Sequence, residues 1–205
     1  MKKIFAKFQY NSPVILTMTL ISALALLLNF FTGGWTNKFI FSVYKSGWTN
    51  PMTYIRLFTH VLGHADYQHF LGNFMYILLL GPIMEEKYGS RALLKMIAVT
   101  SVITGLLQII LFKGRLLGAS GIVFMLILLC SFANYKKGSI PITLILVAIL
   151  YMSGQILNAV FNPNDGISQM AHIVGGICGT VFGWAVTKPK DPKEPAEPQE
   201  TALSL

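Results

Sequence analysis

The sequence predicts an all-α, polytopic membrane protein with six transmembrane helices. Of its 205 residues, 54% are apolar and only 12% are charged, about half the charged share usual in a soluble domain. The apolar residues form long runs, and several runs approach the roughly 20 residues that a helix needs to cross a bilayer. The two cysteines are too few for a disulfide-stapled fold, and the hydrophobicity is too high for a disordered chain.

Six apolar runs are predicted to be spans, and they lie at residues 14–31, 67–84, 92–112, 120–133, 140–160 and 169–187. The first run follows the basic residues Lys2, Lys3 and Lys7, as a signal peptide would. Its apolar core is longer than a typical signal core, and no small-x-small cleavage site follows it. We therefore interpret it as an uncleaved helix.

The segments between the spans differ in composition. Residues 32–66 are rich in aromatic side chains with scattered lysines, which is typical of the headgroup zone of a membrane. Residues 85–90, 113–117, 134–138 and 161–166 are predicted to be short turns or loops. Residues 1–187 form the predicted six-helix domain. Residues 188–205 alternate Pro, Lys and Glu and are predicted to be a disordered cytoplasmic tail.

The basic residues indicate how the helices are oriented. With the N-terminus inside the cell, the inner segments hold 11 of the 16 Lys and Arg residues and the outer segments hold 5. Cytoplasmic loops of membrane proteins are enriched in these residues, so both termini are predicted to be cytoplasmic. This pattern also accounts for the net charge of +8. We expect no nucleic-acid partner, because no stretch interleaves basic and aromatic residues.

Polar side chains inside a membrane span are costly and therefore mark candidate functional sites. All four histidines lie in or beside predicted spans, at His60, His64, His69 and His172. His69 and Asn73 are four residues apart, so they share one face of a helix.

Ser120 stands in the tetrapeptide Gly-Ala-Ser-Gly where the fourth apolar run begins. A helix that starts there directs free backbone N–H groups toward the serine, an environment that stabilises an oxyanion. Ser120 equally fits an ordinary N-cap. His172 lies beside Gly175 and Gly179, whose spacing favours close helix packing. Alone it fits a hydrogen-bonded packing residue, but with Ser120 it fits a Ser–His pair in which the imidazole takes the hydroxyl proton.

Taken together, these residues resemble the rhomboid intramembrane serine proteases. The resemblance covers about residues 10–187 and falls on the second, fourth and sixth predicted spans. It rests on three motifs in order: His60-x-x-x-His64-x-x-x-x-His69-x-x-x-Asn73, Gly118-x-Ser120-Gly121, and Ala171-His172-x-x-Gly175-x-x-x-Gly179.

The resemblance implies a role for each matching residue. Ser120 would be the nucleophile and His172 its general base, in a dyad without an acidic third member. His69, Asn73 and the backbone N–H of Ser120 would form the oxyanion hole. The family needs no cofactor or metal for this chemistry.

Other positions resemble structural features of the family. His60 and His64 match its structural histidines, Arg56 matches the arginine of its Trp-Arg motif, and Glu85 with Gly89 matches its Glu-x-x-x-Gly element. Two positions depart from the pattern. Ile55 stands in the place of the tryptophan, and Phe124 stands where a tyrosine often stacks on the catalytic histidine.

The implied activity is hydrolysis of peptide bonds in or near the transmembrane helices of substrate proteins. A helix hides its scissile carbonyl in hydrogen bonds, so the expected partners are transmembrane proteins with helix-destabilising segments. The compact six-span form points to the inner membrane of a bacterium, with the lipid bilayer as the surrounding solvent.

Three alternatives remain open at this level. His60, His64 and His69 could bind zinc, although no Glu lies between them as in the His-Glu-x-x-His pattern. A membrane adaptor or chaperone on the same scaffold would use the polar residues as interhelical contacts. A transporter would be expected to show an internal repeat, and we find none.

Overall fold

The computed structural model describes residues 9–132, 142–147, 149–150, 153 and 166–186. These residues contain eight named helices and no strand, and the only β-type pairing among them is an isolated bridge between Val43 and Leu116. The helices are α1 (Pro13–Phe31), α2 (Trp35–Phe39), α3 (Pro51–Thr59), α4 (Tyr67–Tyr88), α5 (Ser90–Leu111), α6 (Ser120–Ser131), α7 (Ile142–Val147) and α8 (Gly166–Val186).

Three of these helices have the length and composition of membrane spans. They are α1, α5 and the part of α8 from Gln169 to Val186, with mean hydropathies of 2.3, 2.0 and 1.2. Helix α6 is apolar but shorter, at 12 residues. The prediction of an all-helical membrane bundle is therefore confirmed. The fifth predicted span lies mostly outside the described residues, apart from α7, and the predicted tail lies wholly outside them.

The predicted turn at residues 85–90 is wrong in part, because α4 continues through Tyr88 and only Gly89, with a φ of +81°, breaks the chain before α5. The helix continues because Glu85 caps a neighbouring helix. Its carboxylate accepts hydrogen bonds from the backbone N–H groups of Val14 (3.0 Å) and Ile15 (3.1 Å), at the start of α1. A buried carboxylate at a helix N-terminus satisfies otherwise unpaired N–H donors, and its negative charge interacts favourably with the positive end of the helix dipole.

Helix α6 occupies the centre of the bundle. It packs against α4, α5 and α8, and most of its side chains are buried on every side of the helix, as expected for a helix that is apolar all round. A helix of 12 residues is about 18 Å long, whereas the hydrocarbon core is about 30 Å thick. One end of α6 therefore lies within the membrane if the other end reaches a surface.

Helices α6 and α8 cross with their backbones in contact. A Cβ atom on Gly175 would collide with the carbonyl oxygen of Gly121, and one on Gly179 would collide with that of Met125. The small-residue spacing predicted to favour close packing does so here. This crossing fixes the position of α8 along α6.

Two loops cover one end of α6. We call residues 32–66 loop A and residues 112–119 loop B. They are joined by the two backbone hydrogen bonds of the Val43–Leu116 bridge, each 2.9 Å long. The N–H of Gly118 also donates to the carbonyl of His60 at 2.9 Å. Loop A thus holds loop B in place where it leads into α6.

Candidate active site

The candidate site begins at the turn from loop B into α6. Gly118 has a φ of +119°, a backbone conformation that side chains other than glycine rarely adopt. Ala119 is the N-cap residue and Ser120 the first residue of α6, half-buried at its N-terminus. The first N–H groups of the helix therefore have no partner within α6. They are available to an acceptor beside Ser120.

Two side-chain donors from α4 face the same turn. If Gly118 carried a Cβ, that atom would lie 2.6 Å from Nε2 of His69 and 3.7 Å from Nδ2 of Asn73. The Nδ2 group of Asn73 is buried and has no hydrogen-bond partner among the described residues. A buried amide donor without a partner costs free energy unless a ligand satisfies it. These two donors therefore lie together beside the turn that precedes Ser120, and their chemistry suits an oxygen atom that carries negative charge.

His69 is oriented by its own helix start. Asp66 is the N-cap of α4, and its side chain accepts a hydrogen bond from the backbone N–H of His69 at 2.8 Å. Nδ1 of His69 is 3.5 Å from the backbone N–H of Ala65, a long contact in which the ring nitrogen accepts. This arrangement favours the tautomer with its proton on Nε2, the atom that faces Gly118.

Helix α8 brings His172 to the face of α6 that carries Ser120. The imidazole stacks on the ring of Phe124, with centroids 4.5 Å apart and planes 16° apart. Phe124 lies four residues after Ser120, so the two share a helix face. The close approach of Ala171 to Gly121 supports the same placement, since a Cβ on Gly121 would lie 3.2 Å from the Ala171 carbonyl. Phenylalanine thus stacks here despite lacking the hydroxyl of the tyrosine it replaces.

His64 supports the site from loop A. Its ring is buried, with Nδ1 3.2 Å from the Leu62 carbonyl, and Nε2 accepts from the backbone N–H of Ala119 at 3.4 Å. These two contacts fit a neutral ring with its proton on Nδ1. Burial, together with the nearby His69 ring, lowers the pKa of His64 from 6.5 to about 4. A protonated Nε2 would lose its bond to Ala119.

His60 is also buried and faces α5. Its Nδ1 is 3.0 Å from the Arg56 carbonyl and its Nε2 is 3.3 Å from the hydroxyl of Thr104. Burial lowers the pKa of His60 to about 4. The protein thus uses the ring nitrogens of both His60 and His64 internally. Within the described residues no three His, Cys, Asp or Glu side chains are placed to share a metal ion, so the zinc alternative has no geometric support.

Two supporting contacts were not evident from the sequence. Gln108 of α5 donates from Nε2 to the carbonyl of Gly114 at 2.9 Å and so anchors loop B. Its place at the end of a polar stripe with Thr100 and Thr104, at i, i+4 and i+8, is the signal that could have revealed it. Asp66 is the helix cap that orients His69.

Comparison with known proteins agrees with this description. The family model of the Rhomboid domain matches residues 51–189. The chain is 26% identical over 136 residues to Rhomboid protease GlpG of Haemophilus influenzae, covering 65% of this chain and 70% of that protein. It is 28% identical over 172 residues to Rhomboid-related protein 2 of Mus musculus, covering 70% of this chain and 56% of that protein.

Proposed function

This chain belongs to the rhomboid family and is an intramembrane protease, and from that premise we propose that it is a serine endopeptidase with a Ser120–His172 dyad. The observation that carries the proposal is the convergence of donors on the turn that precedes Ser120. Nε2 of His69 and the unpartnered Nδ2 of Asn73 face Gly118 from α4, and the first N–H groups of α6 begin one residue later.

In the proposed acylation step, Oγ of Ser120 attacks the carbonyl carbon of the scissile peptide bond, and His172 takes the hydroxyl proton. The carbonyl oxygen becomes an oxyanion, held by Nε2–H of His69, Nδ2–H of Asn73 and the backbone N–H of Ser120. His172 then gives its proton to the leaving amine as the carbon–nitrogen bond breaks. The product is an acyl-enzyme on Ser120.

Deacylation repeats this chemistry with water. His172 removes a proton from a water molecule, which attacks the ester carbonyl, and the same donors hold the second oxyanion. Collapse of that intermediate returns the proton to Ser120 and releases the new carboxylate. Phe124 keeps the imidazole over the helix face of Ser120 through its stacking contact, and so supplies the orienting part of what an acidic third residue does in a triad.

The proposed substrates are transmembrane proteins whose helices unwind easily. The scissile carbonyl of an intact helix is already hydrogen-bonded, so residues such as Gly and Pro near the cleavage site lower the cost of exposing it. The short α6 supports this substrate class, because a helix of 12 residues is too short to cross the bilayer. Ser120 at its N-terminus would lie below one membrane surface if the other end of α6 reaches the opposite surface.

We further propose that the protein is a multi-pass protein of a bacterial inner membrane with both termini in the cytoplasm. The support is the excess of Lys and Arg in the segments assigned to the inside. The domain would comprise residues 1–187, and residues 188–205 would form a tail dispensable for chemistry. Trypsin applied to inverted vesicles should remove a C-terminal epitope, whereas in intact spheroplasts the epitope should be protected.

The test of the activity is cleavage of a reporter transmembrane substrate in proteoliposomes. Ser120→Ala should abolish cleavage. Asn73→Ala should reduce kcat by about 10²–10³-fold and leave residual activity, because the other oxyanion donors remain. Ser131→Ala is the matched control, since Ser131 ends the same helix and, among the described residues, its hydroxyl donates to the Ile127 carbonyl (3.2 Å). Cleavage by Ser120→Ala at the parent rate would refute the proposal.

A further inference from the structure

A pocket of about 520 Å³ lies away from the catalytic side chains, between loop A and the end of α5. Residues 45–48 of loop A form one wall, and Ile109 and Ile110 form the other. None of Ser120, His172, His69 and Asn73 lines it. The pocket therefore has no part in the chemistry proposed above.

The surroundings of this pocket are positively charged. Loops A and B contain five basic residues against one acidic residue, Asp66, whose side chain accepts the backbone N–H of His69 at the start of α4. The basic residues are Lys38, Lys45, Arg56, Lys113 and Arg115. Arg56 and Arg115 flank the ring of Tyr44, and their guanidinium carbons lie 4.5 and 5.2 Å from its centroid. The buried Nη1 of Arg56 has no hydrogen-bond partner among the described residues. With a net excess of four positive charges on the two loops, this end of the molecule favours a bound anion.

The polar wall of the pocket also presents donors. Within the part of the chain that the structure describes, the backbone N–H groups of residues 45–48 make no hydrogen bond. The hydroxyl of Ser46 pairs with that of Thr53 at 2.8 Å, and Lys45 is an exposed residue. This combination of N–H groups and an ammonium suits the oxygen atoms of a phosphate.

The other wall of the pocket is apolar and continues into the lipid-facing surface. Ile110 is 63% exposed at the end of α5, where a membrane-spanning helix meets the headgroup zone. Trp48 and Tyr54 are each 51% exposed on loop A, and both residue types are enriched at this depth. A cationic rim above an exposed apolar helix end matches a phospholipid headgroup with its acyl chain.

We propose that this pocket binds one anionic phospholipid. The phosphate lies at Lys45 and the backbone N–H groups beside it, and an acyl chain lies along Ile109 and Ile110. Loop A is tied to loop B through the Val43–Leu116 bridge, so an occupied pocket stabilises the loop that leads to Ser120. The site does not depend on the proposed catalytic residues.

The test uses Trp48 as the reporter. The purified full chain in an uncharged detergent is titrated with phosphatidylglycerol, or with phosphatidylcholine, carrying bromine on the acyl chain, and quenching of tryptophan fluorescence is followed. Trp48→Phe separates the contribution of the pocket from those of Trp35 and Trp184. Half-saturation of the Trp48 signal is expected at a phosphatidylglycerol concentration at least fivefold lower than that of phosphatidylcholine.

Lys45→Gln is the decisive variant, and Lys38→Gln is its matched control. Lys38 is an exposed lysine of the same loop that does not line the pocket. Lys45→Gln should raise the half-saturating phosphatidylglycerol concentration about fivefold, the usual value of one basic residue near an anionic lipid. Lys38→Gln should change it less than twofold.

Four results would overturn the proposal. Equal half-saturating concentrations of phosphatidylglycerol and phosphatidylcholine would show that the pocket is an apolar groove without preference for an anionic headgroup. An equal rise of the half-saturating phosphatidylglycerol concentration in Lys45→Gln and Lys38→Gln would show that the lipid is attracted by the overall charge of loop A and not by a site at Lys45. Displacement of the quenching lipid by millimolar inorganic phosphate would indicate a site for free anions. Quenching that survives Trp48→Phe in full would place the lipid elsewhere.

Discussion

Gly118 is the residue on which the geometry of the proposed oxyanion hole depends most directly. Its φ of +119° is strained for any residue with a Cβ, and that Cβ would lie 2.6 Å from Nε2 of His69. Gly118→Ala should therefore displace His69 and reduce kcat/KM by at least about 10²-fold, as loss of one oxyanion donor does. The measurement is steady-state cleavage of the reporter substrate.

Gly72→Ala is the control for that substitution. Gly72 lies on α4 between His69 and Asn73 in sequence, and a Cβ there would meet no atom within 4 Å. The substitution should leave activity within about twofold and slightly stabilise the helix. If Gly118→Ala retained the activity of Gly72→Ala, the His69 donor would not be part of the site.

At the scale of single residues, sequence reasoning predicted the candidate site residues but not the contacts that hold them in place. Ser120, His172, His69 and Asn73 were predicted from motifs and resemblance, and their catalytic roles stay predictions. The contact of His64 with the N–H of Ala119 could not be predicted, because it joins residues 55 apart along the chain. Such contacts depend on how the loops fold over α6, which no local pattern specifies.

At the scale of helices, the capping of α1 by Glu85 is the contact with the clearest energetic consequence. Glu85 is 4% exposed, and its carboxylate accepts hydrogen bonds from two backbone N–H groups at the start of α1. Glu85→Gln keeps the shape but removes the charge, and hydrogen bonds to charged groups contribute about 1.5–3 kcal/mol each, against about 1 kcal/mol for neutral ones. We expect the free energy of unfolding in detergent to fall by about 1–3 kcal/mol.

Glu86→Gln provides the comparison, because Glu86 is the exposed neighbour on the same helix. It should leave the unfolding free energy within about 0.5 kcal/mol of the parent. Both variants should retain their rate of cleavage at low temperature, since neither side chain is near Ser120. Equal stability of the two variants would show that the cap is not important.

The limits of four of the eight named helices could be predicted, and the error in α4 has a physical cause. The apolar runs predicted the first and last residues of α1, α5, α6 and α8 to within about three residues. The second span was predicted too short because Glu85, Glu86 and Lys87 resemble a polar turn. Their helical conformation depends on burial of Glu85 against α1, a tertiary contact that overrides local polarity.

At the scale of the whole molecule, the buried histidines of loop A predict loss of stability in acid. In the folded protein the pKa of both His60 and His64 is about 4, below the 6.5 expected when the chain is unfolded. The unfolded chain therefore binds protons first as the pH falls. The stability due to the neutral rings is complete above about pH 6.5 and is lost between 6.5 and 4, by up to about 3 kcal/mol for each histidine.

The thermal unfolding midpoint in detergent, measured from pH 7.5 to 4.5, checks this prediction. It should be nearly constant above pH 6.5 and fall steadily below it. His64→Gln should lower the midpoint at pH 7.5 and flatten the decline, because one of the two groups no longer titrates. A midpoint that is constant or rises between pH 6.5 and 4.5 would contradict the assignment of neutral, buried rings.

The overall architecture could be predicted from composition and apolar runs, but the arrangement of loops A and B could not. An all-helical membrane bundle follows from the length and hydropathy of the runs. The position of loop A over α6 depends on hydrogen bonds between distant segments, such as that from Gly118 to His60. Membrane orientation and the nature of the tail remain predictions from charge and composition.

The measurement that tests the central claim most directly is labelling of the detergent-solubilised protein with a fluorescent, serine-directed phosphonate, followed by mass spectrometric mapping of the modified peptide. The parent should be labelled at Ser120 alone, and Ser120→Ala and His172→Ala should both abolish labelling while unfolding at the parent temperature. Labelling of His172→Ala at the parent rate would contradict the account, because Ser120 would then be reactive without its proposed base.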